Sequence, residues 1–234
     1  FLRSLKVVQL PSPWLSERRK YWQSEKYINN KKFDVLFMPS GIKRFPLTVQ
    51  GATGPRIDLV SDFSLNIRDV FDALIPNNIS LVFKPYDNIT LDILSETMYD
   101  LSCKYKDKYN LIDKIDKGFT SELISSSGLI LWNQPGTGFL ECISAQIPTM
   151  IFWTRFSTKE EEWVEEIFKK LEKVGVIHSR VDTLVQEIKV FNKSSDEWMK
   201  NPERISVIEE FCYQYARVDD NWHRQWRDFF SNLT

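Results

Sequence analysis

Residues 133–141 carry the side chains and the spacing of an anion site at the start of a helix. Gly136 and Gly138 flank Thr137, and Glu141 follows one helical turn later. The glycines allow a sharp turn into a helix, and the Thr137 hydroxyl lies beside the first unpaired N–H groups. A helix start carries about half a positive charge, so a phosphate or pyrophosphate is stabilised there without lysines.

We therefore predict that Gly136, Thr137 and Gly138 bind a phosphate, and that Glu141 accepts hydrogen bonds from ribose hydroxyls. The residues alone leave a second interpretation open. A glycine-rich turn between a strand and a helix occurs in many α/β proteins, and Glu141 would then be a solvated helix residue.

Two other segments are expected to lie at the same edge of the sheet as residues 133–141. Ligands of open α/β sheets bind there, in a crevice beyond the carboxyl ends of the strands. Ser40, Gly41, Lys43 and Arg44 follow a predicted strand, and Lys84 directly follows another. We predict that Ser40, Gly41, Lys43 and Arg44 contact phosphate or carboxylate groups of the ligand, and that Lys84 is a phosphate partner. The alternative is that the basic side chains are merely solvated.

The elements that position these residues are predicted from apolar runs and helical periodicity. Short apolar strands are predicted at residues 6–10, 33–38, 79–83, 129–132 and 150–153, with a further one at 109–112. Helical patterns lie between them at 61–74, 91–105 and 119–125. This alternation predicts an α/β fold, a Rossmann-like parallel sheet of five or six strands flanked by helices.

After residue 153 the pattern predicts helices only, at about 159–174, 181–191, 196–201 and 202–230, the last broken near Asp219 and Asp220. We therefore expect a nucleotide-binding α/β region over residues 1–153. An all-helical extension over 154–234 is expected to pack on the same domain.

Composition restricts the classes of function. Hydrophobic residues make up 42% and charged residues 27%, as in globular proteins, and the net charge of -1 supplies no basic surface for nucleic acid. Three distant cysteines fit a reducing compartment, and the apolar runs are far too short to cross a bilayer. The chain begins with Phe1 rather than Met, so we expect it to be part of a longer protein.

Catalytic residues are not assigned by the sequence. The only histidines are His178 and His223, which lie late in the chain, away from the predicted crevice. The paired carboxylates lie on predicted helices or turns with a solvated face. We expect no metal or cofactor, and the catalytic base stays unknown.

The segment around residue 136 resembles the donor-site signature of GT-B glycosyltransferases. In that family a strand leads to a Ser- or Thr-rich turn, a Glu one turn later, and a Pro before the next strand. The matching residues here are Thr137, Glu141 and Pro148. The resemblance covers residues 33–230, but only 136–141 are specific. Many relatives carry a second acidic residue where this chain has Gln134 and Pro135, which leaves the nucleotide open.

The closest likeness within GT-B enzymes is to bacterial O-antigen and capsule transferases, some of which use CMP-activated Kdo-like sugars. It implies the C-terminal donor-binding half of a glycosyltransferase for surface polysaccharide, with a nucleotide sugar as substrate and a glycan or glycolipid as acceptor. The N-terminal half would bind the acceptor and supply the base. The expected location is the cytoplasm, at the inner face of the bacterial membrane, with peripheral membrane association through the full-length protein.

Two alternatives stay open at this point. One is a non-catalytic module of the same fold that binds a sugar or a protein. The other is half of a nucleotide-sugar epimerase. A nicotinamide site is disfavoured, because no GxGxxG sequence follows the first predicted strand. The sequence does not specify the donor, the acceptor or the stereochemical outcome.

Overall fold

The computed structural model describes residues 8–24, 31–42, 60–112, 121–154 and 162–232. In these ranges the strands are β1 Phe33–Phe37, β2 Leu81–Phe83, β3 Tyr109–Leu111, β4 Ser127–Trp132, β5 Thr149–Phe152 and β6 Ile177–His178. The helices are α1 Pro13–Ser24, α2 Val60–Leu74, α3 Asn88–Ile93, α4 Ser95–Tyr105, α5 Ser121–Ser125, α6 Thr137–Ser144, α7 Glu162–Lys173, α8 Val181–Lys193, α9 Ser195–Met199, α10 Pro202–Tyr215 and α11 Trp222–Ser231.

The six strands form one sheet in the order β3-β2-β1-β4-β5-β6, and every pairing is parallel. This is the strand order of a doubly wound Rossmann-type sheet, in which the chain reverses direction across the sheet between β1 and β4. The predicted α/β fold with a parallel sheet flanked by helices is confirmed.

The sheet is covered on both faces, as its continuous apolar strands require. Val35 and Phe37 of β1 belong to a large core with α2, α4, α7 and α8, whereas Leu36 and Met38 belong to a smaller core on the opposite face. Trp22 of α1 and Cys142 of α6 complete this smaller core. Successive side chains of a strand point to opposite faces, so a single strand contributes to both cores.

Three details differ from the predictions. Residues 8–10, the described part of the first predicted strand, form no strand. The extension after residue 153 is not all helical, because Ile177 and His178 form β6 and pair with β5. The helix α1 was not predicted. The expected boundary between residues 153 and 154 stays a prediction, although β6 joins the extension to the sheet.

The helical extension follows the predicted pattern closely. Its last helical segment is interrupted between α10 and α11, around Asp219 and Asp220. Indole N–H groups of α11 hold it to the start of the chain. Trp222 donates to Glu17 at 2.7 Å, and Trp226 donates to the Pro11 carbonyl at 2.8 Å.

Candidate functional site

The ends of β1 and β4 meet at the point where the sheet reverses direction. The Met38 amide donates to the Leu131 carbonyl at 2.9 Å, which keeps the two strands paired to their carboxyl ends. Beyond them the chain turns away in opposite senses, towards β2 after β1 and towards β5 after β4. Such a point opens a crevice in which ligands of doubly wound folds bind. We call it the crevice; residues 38–42, 84 and 133–141 belong to it.

Ser40 and Asn133 join the two sides of the crevice. The Ser40 amide donates to Asn133 Oδ1 at 2.8 Å, and Asn133 is 1% exposed. An N–H group can only donate, so the carboxamide oxygen must face it and the amino group must point away. Asn133 Nδ2 and Ser40 Oγ are both buried, and neither has a hydrogen-bond partner in the described part of the chain.

Gly41 is packed against Tyr86. A Cβ on Gly41 would lie 2.6 Å from Tyr86 Cδ1, which is too close for any other residue unless the ring moves. The next amide, of Ile42, donates to Thr90 Oγ1 at 3.1 Å. These contacts fix the path of the chain after β1. The predicted ligand contact of Gly41 stays a prediction, and so do those of Lys43 and Arg44, which lie outside the described residues.

Lys84 is held beside the end of β1. Its amide donates to the Phe37 carbonyl at 3.0 Å, and the residue is only 6% exposed. Burial lowers the pKa of its ammonium group, because a charged form loses its hydration. Within the described ranges, no carboxylate or other acceptor pairs with this ammonium. An anion in the crevice would supply the missing charge.

The first turn of α6 is open. Gly136 caps the helix with φ -133° and ψ -179°, an extended conformation that any residue adopts, and a Cβ there would meet no atom within 4 Å. Neither the backbone nor the surrounding packing requires glycine. The first helical bond runs from the Leu140 amide to the Gly136 carbonyl, so the amides of Thr137, Gly138 and Phe139 point out of the helix start. This is the geometry of an anion site.

Glu141 lies on the same helix face as Thr137, but it is buried rather than solvated, at 1% exposure. Its Oε1 accepts from Arg18 Nε at 2.6 Å and from Trp22 Nε1 at 2.7 Å. Its Oε2 is buried without a partner among the described residues. The interpretation of Glu141 as a solvated residue is therefore wrong, and its predicted ribose contact stays a prediction.

Sequence reasoning missed three residues of this region, namely Asn133, Arg18 and Trp22. Asn133 carried a usable signal, because it is an amide directly after a buried strand. Arg18 and Trp22 carried none, since nothing in the sequence connects them with Glu141, more than a hundred positions later.

A second set of buried polar side chains lies beside the edge strand β6. We call His178, Glu187, Trp198 and Arg204 the Arg204 cluster. The guanidinium of Arg204 donates to the carbonyls of Val174 and Trp198 and, at 2.7 Å, to Glu187 Oε1, which also accepts the Trp198 indole N–H at 2.6 Å. A cavity of about 380 Å³ opens next to it.

His178 is neutral in this cluster. Burial lowers its pKa to about 4, and its ring nitrogens lie 3.2 Å from Thr183 Oγ1 and from the Gly175 carbonyl. It lies in β6 at the edge of the sheet, three strands away from β1. Its position and its partners give it a packing role.

Among the described residues, no group of three or more His, Cys, Asp or Glu side chains is arranged to hold a metal ion. None of the helices in the same ranges has the length and apolarity needed to span a membrane.

Comparison with known proteins gives a family and a set of similar folds. A family model described as LIC12162 family transferase matches residues 3–230. No curated protein matches the chain. UDP-GlcNAc 2-epimerase from Methanocaldococcus jannaschii, solved with UDP-GlcNAc and UDP, is 17% identical with a TM-score of 0.46 over 84% of this chain and 52% of that one.

HepE from Anabaena, solved with UDP and glucose, is 13% identical with a TM-score of 0.47 over 94% of this chain and 52% of that one. The chain thus spans about half the length of these proteins.

Proposed function

Because the chain belongs to the LIC12162 family of transferases, we propose that it is the donor-binding half of a glycosyltransferase and holds a nucleotide-activated sugar in the crevice. The observation that carries this proposal is the set of polar groups there that lack protein partners. Ser40 Oγ, Asn133 Nδ2 and Glu141 Oε2 are all buried and unpaired within the described ranges. Native proteins pair such groups almost everywhere, so three exceptions around one crevice support a ligand site there. Arg19 Nε and Asn66 Oδ1 are buried atoms without a partner in the described ranges that lie outside the crevice residues.

The phosphate of the donor belongs at the start of α6 in this proposal. Three outward amides and the helix dipole favour negative charge there, and the largely buried residue Lys84 adds an ammonium that has no counter-ion among the described residues. Gly136 leaves the space beside it open, since a Cβ there would meet no atom within 4 Å. In this proposal Glu141 accepts a ribose hydroxyl, and Ser40 and Gly41 contribute from the end of β1. Arg44, which lies outside the described residues, is proposed as a further contact.

The chemical contribution of these groups is to stabilise the leaving group. Negative charge develops on the phosphate oxygens as the bond between the transferred sugar and the phosphate breaks. Fixed dipoles aimed at that position lower the barrier. We propose that the catalytic base and the acceptor site belong to the rest of the full-length enzyme. The resemblance to O-antigen and capsule transferases extends the proposal to a CMP-activated, Kdo-like donor and to a glycan or glycolipid acceptor at the inner face of the membrane.

A panel of CMP, UDP, GDP and ADP tests the proposal by thermal unfolding and calorimetry. A nucleotide at 100 times its dissociation constant should raise the free energy of unfolding by about 2.7 kcal/mol. Adenosine without phosphate is the control, and it should bind far more weakly because it lacks the anion. Failure of all four nucleotides to bind the full-length protein would overturn the proposal.

A further inference from the structure

The contact between α1 and α6 converges on a single carboxylate oxygen. Arg18 and Trp22 lie four positions apart on α1, on one helix face, and both donate to Glu141 Oε1. The Arg18 guanidinium also lies 5.3 Å from the centre of the Trp22 ring. The two donors therefore reinforce each other, and they fix the plane of the Glu141 carboxylate from one side.

The direction of the Glu141 side chain brings this contact to the crevice. Side chains on a helix lean towards its N-terminus, so the carboxylate of Glu141 lies over the turn that begins with Thr137. That turn is the open anion site. Arg18 and Trp22 thus hold a carboxylate that is one helical turn from the proposed phosphate position.

The two oxygens of this carboxylate differ in their hydrogen bonding. Oε1 has two strong donors, at 2.6 and 2.7 Å, whereas Oε2 is buried and accepts from none of the described residues. An ionised carboxylate can accept about four hydrogen bonds, and a buried oxygen left without a donor is costly. The arrangement is completed when an external donor reaches Oε2.

We propose that Arg18 and Trp22 are positioning residues for nucleotide recognition. They occupy one oxygen of Glu141 and so present the other, Oε2, to a ribose hydroxyl of the bound nucleotide. Oε2 is shielded from solvent in the free protein, so binding includes a small rearrangement around it. This inference rests on the proposed function and adds that α1, a helix from before the first strand, takes part in recognising the nucleoside.

The test compares ligands with and without ribose. Trp22→Phe keeps a buried aromatic ring and removes the indole N–H, and Arg18→Lys keeps the charge while moving the donor. Calorimetry on the full-length enzyme then measures UDP against pyrophosphate and CMP against inorganic phosphate. Trp14→Phe is the matched control, since Trp14 is on the same helix and 48% exposed.

Both α1 variants should bind UDP or CMP about threefold to tenfold more weakly, with pyrophosphate and phosphate binding unchanged. Trp14→Phe should change neither. Lower thermal stability with unchanged nucleotide affinity would make Arg18 and Trp22 purely structural, and tighter nucleotide binding would mean that α1 competes with ribose. Either result overturns the inference while leaving the proposed function intact. Absence of nucleotide binding by the wild-type enzyme would instead remove the proposed function.

Discussion

The crevice and the Arg204 cluster both bury polar and charged side chains, but they differ in how these groups are paired. In the cluster, the guanidinium of Arg204 donates to two carbonyls and a carboxylate, and both ring nitrogens of His178 have partners. In the crevice, the ammonium of Lys84 and single atoms of Ser40 and Asn133 find no partner among the described residues.

This difference separates a structural network from a binding site. A buried polar group that is fully hydrogen-bonded contributes to a unique packing, whereas one left unpaired costs about 1–3 kcal/mol. An unpaired buried group is tolerated at a binding site, because the bound ligand supplies the missing hydrogen bond. The comparison therefore supports the proposed ligand site in the crevice, although a cavity of about 380 Å³ and a buried histidine lie at the Arg204 cluster.

The largest expected effect comes from breaking the Arg204 cluster. Arg204→Met leaves the Glu187 carboxylate, which is 22% exposed, without its cation, so the free energy of unfolding should fall by about 3–5 kcal/mol. Urea unfolding measures this change. Lys200→Met, which breaks the exposed pair with Asp196, should cost less than about 1 kcal/mol. Folded Arg204→Met protein should bind nucleotides with wild-type affinity, and a loss of affinity comparable to that of crevice variants would erase the distinction between the two regions.

How far the sequence anticipates these two regions depends on the range of the interactions. The strands β1, β2, β4 and β5 follow from local apolar runs. The turn before α6 was predicted from its glycines, although the extended backbone at Gly136 does not require glycine. The helix α1 has only three buried residues, Leu15, Ser16 and Trp22, so it lacks an apolar stripe that would predict it. Its position is fixed by contacts with Glu141 and α11, which are distant in sequence.

The strand β6 shows the same limit. Two residues, Ile177 and His178, are too few for any periodic pattern, and only pairing with β5 makes them a strand. Ser40 and Lys84 were predicted from their places after strands, whereas Asn133 was missed. The pairing of Asn133 with Ser40 depends on two strand ends meeting in space.

The second prediction concerns the cation in the crevice. Lys84→Met should weaken UDP and CMP binding about tenfold to a hundredfold, as expected for a lost charged hydrogen bond of about 1.5–3 kcal/mol. Without ligand the variant should be as stable as the wild type or more so, because it removes an ammonium that loses hydration on folding and gains no partner among the described residues. Calorimetry and urea unfolding give the two quantities.

The wild type and Lys84→Met should also differ in how their stability depends on pH. The pKa of Lys84 is lower in the folded protein than in the unfolded chain, so in the alkaline interval between the two values the unfolded chain binds more protons. The stability of the wild type should therefore rise with pH relative to Lys84→Met in that interval. A stability advantage of the wild type at neutral pH that falls as pH rises would show that Lys84 is paired.

The most direct test of the central claim compares two buried serine hydroxyl groups. Ser40 Oγ has no partner in the described part of the chain, whereas Ser16 Oγ donates to the Ser12 carbonyl at 2.7 Å and accepts from the Asp219 amide at 3.1 Å. Ser40→Ala removes a hydroxyl group without a partner among the described residues, whereas Ser16→Ala removes one with two hydrogen bonds. The measurement is the free energy of unfolding without ligand, paired with the dissociation constants of UDP and CMP.

Ser40→Ala should leave the unfolding free energy unchanged or raise it by up to about 1 kcal/mol, and should weaken nucleotide binding about threefold to tenfold. Ser16→Ala should lower the unfolding free energy by about 1 kcal/mol and leave binding unchanged. If Ser40→Ala instead destabilises the free protein and binds UDP and CMP as the wild type does, the unpaired groups of the crevice do not mark a ligand site.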